Sequence, residues 1–191
     1  MNHATRRVRW LLALVLLAGI VGCSGGGDDA REGMFRWSIS TAVEIEAPPA
    51  RVWEVLVDLP AYPQWNPFIV EAAGKVAAGE TLSLRMALPG RAPMTIEPRL
   101  LVVEPGRELR WRGSLWMRGL FDGEHAFVLT PLENGRTRLD HSERFEGLLL
   151  PIAKRMVYDA TVESFRALDA ALAERSARPA AAVGAAGGTE D

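Results

Sequence analysis

Two histidines and a glutamate lie close together in the C-terminal half of the chain: His125, His141 and Glu143. An imidazole titrates near neutrality, and a carboxylate beside one can act as a general base, so the set could move protons. Two imidazoles and a carboxylate can also hold zinc with one position open. The helical H-E-x-x-H spacing is absent, and no other side chain reads as an activated nucleophile. A second option is a polar anchor at the end of an apolar ligand cavity, where a few polar groups orient the ligand. The third is a hydrogen-bonded patch in the core, because a buried carboxylate needs such partners. The residues alone admit all three.

Strands must bring these residues together. In 120–130, Phe121, Gly123, His125, Phe127 and Leu129 alternate with polar or small neighbours, and in 136–146 Thr137, Leu139, His141, Glu143 and Phe145 do the same. A loop from Pro131 to Gly135 sets Leu129 opposite Thr137, His125 opposite His141 and Gly123 opposite Glu143. Opposed Cβ atoms lie about 4.5–5.5 Å apart. On the outer face this register puts Asp122 opposite Arg144. A two-residue Asn134-Gly135 turn would set inward residues against outward ones, so the longer loop is expected.

The remaining elements follow from periodicity and breakers. Trp37, Ile39, Thr41, Val43 and Ile45 alternate within 36–46, which is a half-buried strand. Pro48 and Pro49 open a helix over 50–58 with Val52, Trp53, Leu56 and Val57 as its stripe. Pro60, Pro63 and Pro67 make 59–68 a short helix or bent loop. Further strands are expected near 68–74, 79–88, 93–104 and 107–117, separated by glycine and proline turns. In the last of these Leu109, Trp111, Leu115 and Met117 are expected to point inward, and Trp116 outward as an exposed aromatic or a dimer contact. From Leu148 to about Arg175 a long helix carries Val162, Phe165, Leu168 and Leu172, with Pro151 either in its first turn or kinking it. Short connections favour antiparallel pairing, and the terminal helix covers one face of a curved sheet of about seven strands, an α+β architecture.

This order resembles the helix-grip fold of the START/Bet v 1-like, or SRPBCC, superfamily. Ala47-Pro48-Pro49-Ala50-Arg51-Val52-Trp53, Asp58-Leu59-Pro60-Ala61-Tyr62-Pro63-Gln64-Trp65-Asn66-Pro67, Gly123-Glu124-His125-Ala126-Phe127 and Glu143-Arg144-Phe145-Glu146-Gly147 are similar to its polyketide cyclase/dehydrase-like branch. The resemblance spans 36–175 and implies a void between the long helix and the bent sheet. Candidate ligand-binding residues are then Trp65, Met86, Trp111, Leu115, Phe121, His125, Phe127, His141, Glu143 and Met156, with Met94 and Ile96 as further walls. In the superfamily the segment carrying Tyr62, Trp65 and Phe68 borders the entrance; alternatively these side chains staple a short helix to the sheet.

The ends of the chain carry a different message. Arg6, Arg7 and Arg9 precede an apolar run from Trp10 to Val21. As a helix it covers about 18 Å, short of a ~30 Å hydrocarbon core, so residues 1–22 read as an export signal. Ile20-Val21-Gly22-Cys23 resembles the lipobox of bacterial lipoproteins, which implies acylation of Cys23 after cleavage before it. Several acyl chains on one residue anchor stably, whereas a single chain is marginal. Ser24 in place of aspartate leans, by the same resemblance, towards an outer membrane. Residues 23–35 are then the lipidated cysteine and a polar tether, 36–175 the domain, and 176–191 an Ala/Gly-rich tail expected to be disordered.

Composition narrows the partners. The lone cysteine among 191 residues excludes an internal disulfide framework and any multi-cysteine metal site. A net charge of −2 gives no basic field for nucleic acid. Cleavage before Cys23 removes three of the 22 basic residues against 24 acidic ones, leaving −5, so charge alone does not draw the mature protein to anionic surfaces. No cofactor and no metal are expected. The leading expectation is an exported, lipid-anchored envelope protein facing the periplasm. It would bind or carry a hydrophobic small molecule such as a lipid, isoprenoid or polyketide-like compound. The alternatives are a cyclase or dehydratase using His125, His141 and Glu143, and a non-catalytic envelope assembly factor with a protein in the groove.

Overall fold

The computed structural model describes residues 33–115 and 117–178, without the side chains of 155–157. The export segment, Cys23, the tether up to residue 32, Trp116, the Met156 side chain and the tail after residue 178 lie outside the described residues.

Strand β1 (Arg36–Ile45) buries Trp37, Ile39 and Ile45. Pro49 begins helix α1 (Pro49–Val57), which buries Val52, Val55 and Leu56. A single 3-10 segment, Leu59–Gln64, follows with Pro60 and Pro63 inside it. The Tyr62 hydroxyl donates to the Leu56 carbonyl at 2.7 Å and ties this segment back to α1. Burial pushes the Tyr62 phenol well above its ordinary range, with the Asp58 charge adding to the effect. Asn66 is buried, and its Oδ1 accepts from the amides of Phe68 (3.0 Å) and Ile69 (2.8 Å), capping the next strand. The proline-rich segment is therefore a staple, built around Tyr62 and Asn66.

The sheet continues with β2 (Ile69–Gly74), β3 (Leu82–Met86), β4 (Met94–Ile96), β5 (Arg99–Glu104), β6 (Glu108–Ser114), β7 (Asp122–Pro131) and β8 (Thr137–Glu146). Five strands run in the order β1-β8-β7-β6-β5, and three in the order β2-β3-β4. All pairs are antiparallel. Leu82 N–H to the Pro98 carbonyl (2.9 Å) and Leu100 N–H to the Glu80 carbonyl (2.8 Å) join the two groups at a bend. Helix α2 (Leu150–Ala177) packs over β1 and β8 and against α1. The result is the expected helix-grip α+β fold.

Several expectations are corrected in detail. The strand expected at 93–104 is divided by Pro98, which has no N–H to donate, so the sheet has eight strands. The strand expected at 107–117 ends at Ser114, and Met117 is 65% exposed where an inward residue was expected. Helix α2 runs to Ala177 with Ser176 buried in its last turn, two residues into the segment assigned to the tail.

The β7–β8 register also differs. β7 continues to Pro131, which faces Thr137, so His125 faces Glu143, Phe127 faces His141 and Gly123 faces Phe145. Leu132 N–H donates to the Arg136 carbonyl at 2.8 Å and closes the shorter connection. Asn134 (φ 61°) and Gly135 (φ 74°) supply the left-handed turn, which both residues tolerate. On the outer face Arg144 lies opposite Glu124 and Asp122 opposite Glu146. The slide is two residues, an even number, so every inward side chain stays inward.

Gly147 ends β8 before α2 at φ 144°, and a Cβ there would collide with the backbone of Leu120 and Phe121. Gly106 has φ 72° but open space around it. Gly147→Ala is therefore expected to lower the chemical-denaturation stability by roughly 3 kcal/mol, against about 1 kcal/mol for Gly106→Ala. Equal losses would show that the close approach at Gly147 is unimportant.

Candidate functional site

Four titratable side chains form a chain through the interior. It begins on α2 at Asp169, whose Oδ1 lies 2.6 Å from His141 Nδ1. His141 Nε2 lies 2.7 Å from His125 Nε2. His125 Nδ1 is 3.4 Å from Glu143 Oε2, an ion-pair distance. Thr41 on β1 donates its hydroxyl to Asp169 Oδ2 at 2.5 Å. His125, His141 and Asp169 are buried, and Glu143 is the member with partial exposure.

Aromatic rings fix both imidazoles. His141 stacks on Phe165 (4.0 Å between centroids, 3° between planes) and on Phe127 (4.4 Å, 16°). His125 stacks on Trp111 (4.6 Å, 14°). Burial in this box lowers the His141 pKa from 6.5 to about 4; the hydrogen bond to Asp169 opposes that shift, and the neighbouring His125 adds to it. His141 is therefore neutral at pH 7.

Neutrality of His141 fixes the direction of the hydrogen bonds. Its Nδ1–H donates to the Asp169 carboxylate, which leaves Nε2 as an acceptor. His125 must then donate from Nε2. Its remaining Nδ1 faces a carboxyl oxygen, so one proton belongs between His125 and Glu143. It can rest on the imidazole or on the carboxyl group, and the Asp169 carboxylate is the acceptor at the far end of the chain. Glu143 can present an acid or an acceptor while the histidines behind it supply or receive the proton.

Glu143 reaches a cavity of about 640 Å3. Its walls include Phe68, Met86, Met94, Ile96, Trp111, Leu115, Phe121 and Phe145 from the strands and their connections, with Leu149, Ile152, Ala153 and Thr161 on the helix side. Gly113 and Gly123 stand directly opposite each other on β6 and β7, and both line the void. Gly123 also makes room for the acid: a Cβ there would lie 2.6 Å from Glu143 Oε1. Two missing side chains on the concave face thus create both the space and the place for a carboxyl group.

The residues expected at the site divide into three groups. Met86, Trp111, Leu115, Phe121 and Glu143 line the cavity. His125, His141 and Phe127 lie behind its wall, in contact with one another. Trp65 is elsewhere: it is half-buried and packs edge-on to Tyr62 at 5.1 Å, part of the staple and not of the wall. The Met156 side chain lies outside the described residues. Asp169, Thr41 and Phe165 were not anticipated as partners of the histidines. Asp169 gave a signal, since it falls four residues after Phe165 and three before Leu172, on the apolar stripe of the helix. Among the described residues, no three His, Cys, Asp or Glu side chains are arranged to hold a metal ion.

Residues 36–175 match the family described as "Polyketide cyclase / dehydrase and lipid transport". The chain belongs to this family. Among solved structures, the Zhui aromatase/cyclase from Streptomyces sp. R1128 superposes with a TM-score of 0.63 at 23% identity, covering 78% of this chain and 99% of that one. A START superfamily protein from Mycobacterium smegmatis gives 0.59 at 23% identity, covering 73% and 96%. A norcoclaurine synthase point mutant from Thalictrum, in complex with a transition-state analogue, gives 0.57 at 13%, covering 74% and 94%. These likenesses establish the helix-grip fold. No curated protein matches the chain significantly.

The His141 environment makes stability pH-dependent. Unfolded histidine takes a proton near pH 6.5, and folded His141 only near pH 4. The unfolded state therefore binds more protons between these values, so stability falls as pH drops through the window and is unaffected by this group above it. The loss is about 3 kcal/mol at most. Denaturant titrations across the window should show a steeper decline for the wild type than for His141→Phe; parallel declines would contradict this assignment.

Proposed function

We propose that the domain binds a largely apolar small molecule carrying one hydrogen-bonding group, such as a hydroxyl, enol or carbonyl, that meets Glu143. The observation behind this reading is the pairing of an apolar cavity with a single lining carboxyl group supported by a buried proton chain. A void of about 640 Å3 falls in the ~300–1,000 Å3 range of small-molecule sites. Apolar burial at roughly 25 cal/mol per Å2 drives binding, and the polar contact orients the ligand. The family description names both lipid transport and polyketide cyclisation, which fits a ligand of this kind. Lipid, isoprenoid and polyketide-like compounds all meet the requirement.

In the same reading the protein is exported and held at a cell-envelope membrane through acyl chains on Cys23. Support comes from the basic start, the short apolar run and the Ile20-Val21-Gly22-Cys23 stretch. No helix among the described residues is long and apolar enough to span a bilayer.

A second reading is favoured by one specific observation. The one proton shared by His125 and Glu143 can be lent to a bound ligand and taken back from it at the same carboxyl group, which acid/base cyclisation or dehydration requires. Glu143→Gln separates the two. The amide can satisfy His125 Nδ1 without carrying a transferable proton, so ligand retention should persist within about tenfold, whereas any turnover should be abolished.

Two measurements test the main reading. Native mass spectrometry after mild purification should reveal a co-purified apolar ligand, or uptake from a lipid panel. Gly113→Leu, which projects a side chain into the void, should reduce that uptake at least about tenfold with the fold retained. Unchanged uptake, or none by the wild type, would overturn the cavity reading. Labelling cells with a fatty-acid analogue should mark the wild type and not Cys23→Ala; an unlabelled wild type would remove the anchor.

A further inference from the structure

One end of the domain exposes apolar side chains that the core does not use. Met117, Leu148 and Ile152 are 65%, 66% and 67% exposed. Backbone hydrogen bonds place them side by side: Leu148 N–H to Gly119 O at 3.0 Å, Leu149 N–H to Leu120 O at 3.0 Å, and Leu120 N–H to Met117 O at 3.2 Å. The connection after β6 is thereby stitched to the turn before α2. Ile152, in the first turns of α2, also lines the cavity, so this end is its mouth. Exposed Arg91, Ala92 and Pro93 line it from the connection between β3 and β4.

The chain enters at this same end. Gly147 N–H donates to the Phe35 carbonyl at 3.1 Å, which brings Met34 (74% exposed) and Phe35 (49%) beside the rim. Cys23 precedes Gly33 by ten residues, a span of at most about 36 Å when extended. The Asn134–Gly135 turn lies at the other end of β7 and β8, about 30 Å away along the strands. An anchor on Cys23 therefore favours one end of the domain, and that end is the apolar one. Arg118 is exposed there too, a cation that suits lipid phosphates.

We propose that the rim of Met117, Leu148 and Ile152 docks on a lipid bilayer, inserting at the headgroup boundary so that the ligand passes directly between membrane and cavity. This rests on the cavity and anchor reading above. The isolated side chains fit shallow insertion, since an apolar patch beside a cavity mouth excludes water from the path that an apolar ligand takes.

The test uses the chain from residue 23 onward with Cys23→Ala, which keeps every described residue and removes the acyl anchor. The probe is a pyrene-labelled long-chain alcohol, and the vesicles are phosphatidylcholine with phosphatidylglycerol. Transfer between donor and acceptor vesicles should speed up with acceptor concentration, as collision requires. Adding Met117→Asn and Leu148→Asn should slow transfer by at least about tenfold, because one inserted Leu or Met side chain is worth about a decade or more. Loading of the probe in buffer should not change, since neither residue lines the cavity. A rate independent of acceptor concentration, or unaltered in the double variant, would overturn docking. So would a wild-type dimer that the double variant converts to monomer, which would assign the rim to a second copy. If neither protein loads the probe, the cavity reading fails on its own. Vesicle flotation then decides the rim: binding lost in the double variant supports docking, and no binding by the Cys23→Ala chain overturns it.

Discussion

The hydrogen bond between His141 and Asp169 is the contact on which the interior depends. It joins β8 to α2 across 28 residues of sequence at 2.6 Å, and Thr41 attaches β1 to the same carboxylate. Three elements thus meet at one buried carboxyl group. Burying a carboxylate is costly unless its lone pairs are engaged, and here both oxygens have donors. The contact is directional, so it discriminates between alternative seats of the helix on the sheet in a way that leucines cannot. A slide of α2 by one residue would preserve much apolar burial and leave Asp169 unpaired. Unpaired buried charge is penalised by several kcal/mol, far more than a satisfied bond contributes.

The orientation of Glu143 follows from that contact one step at a time. With His141 donating to Asp169, its other nitrogen can only accept, and His125 can only donate to it. The proton that remains is placed at the end of the chain, beside the cavity. Stacking against Phe165, Phe127 and Trp111 prevents either ring from turning to escape this order. Gly113 and Gly123 complete the arrangement by absence. A pair of side chains there would fill the concave face, and one at Gly123 would push the carboxyl away.

Much of this was legible in the sequence, and the exceptions have physical causes. Strict alternation in β1, β7 and β8 shows which residues face inward, and inwardness survives the two-residue slide between β7 and β8 because the period is two. The slide itself was hidden in Pro131. Proline discourages strand assignment, yet it can end a ladder where no N–H is required. The broken strand at Pro98 is the opposite case, since the proline stands in plain view and removes a donor in mid-strand. His125, His141 and Glu143 were brought together by pattern alone. Asp169 was not, because register on a sheet says nothing about which residue of a distant helix will land above it. A carboxylate within the Phe165–Leu172 stripe was the available clue. Trp65 shows the converse limit: an aromatic near an expected entrance serves equally well as a clasp between helix and sheet.

The domain's two regions obey different demands. Around Asp169 and the stacked rings, polar groups are satisfied and packing is continuous, so this region resists opening. Near Gly147 the cavity adjoins Phe145 and Leu149, Met117, Leu148 and Ile152 face outward, and backbone bonds from Gly147, Leu148 and Leu149 hold the segments together. Glu143 lies three residues before Glu146, roughly 10 Å along β8 from the mouth. In the proposed docking, a molecule drawn from the headgroup boundary of a bilayer leaves with its polar group leading. Entering at the Leu148 rim, it would meet Glu143 with that group first and leave its apolar part against Met86, Leu115 and Ile152. The depth of the acid, the open end and the apolar rim are thus three consequences of one geometry.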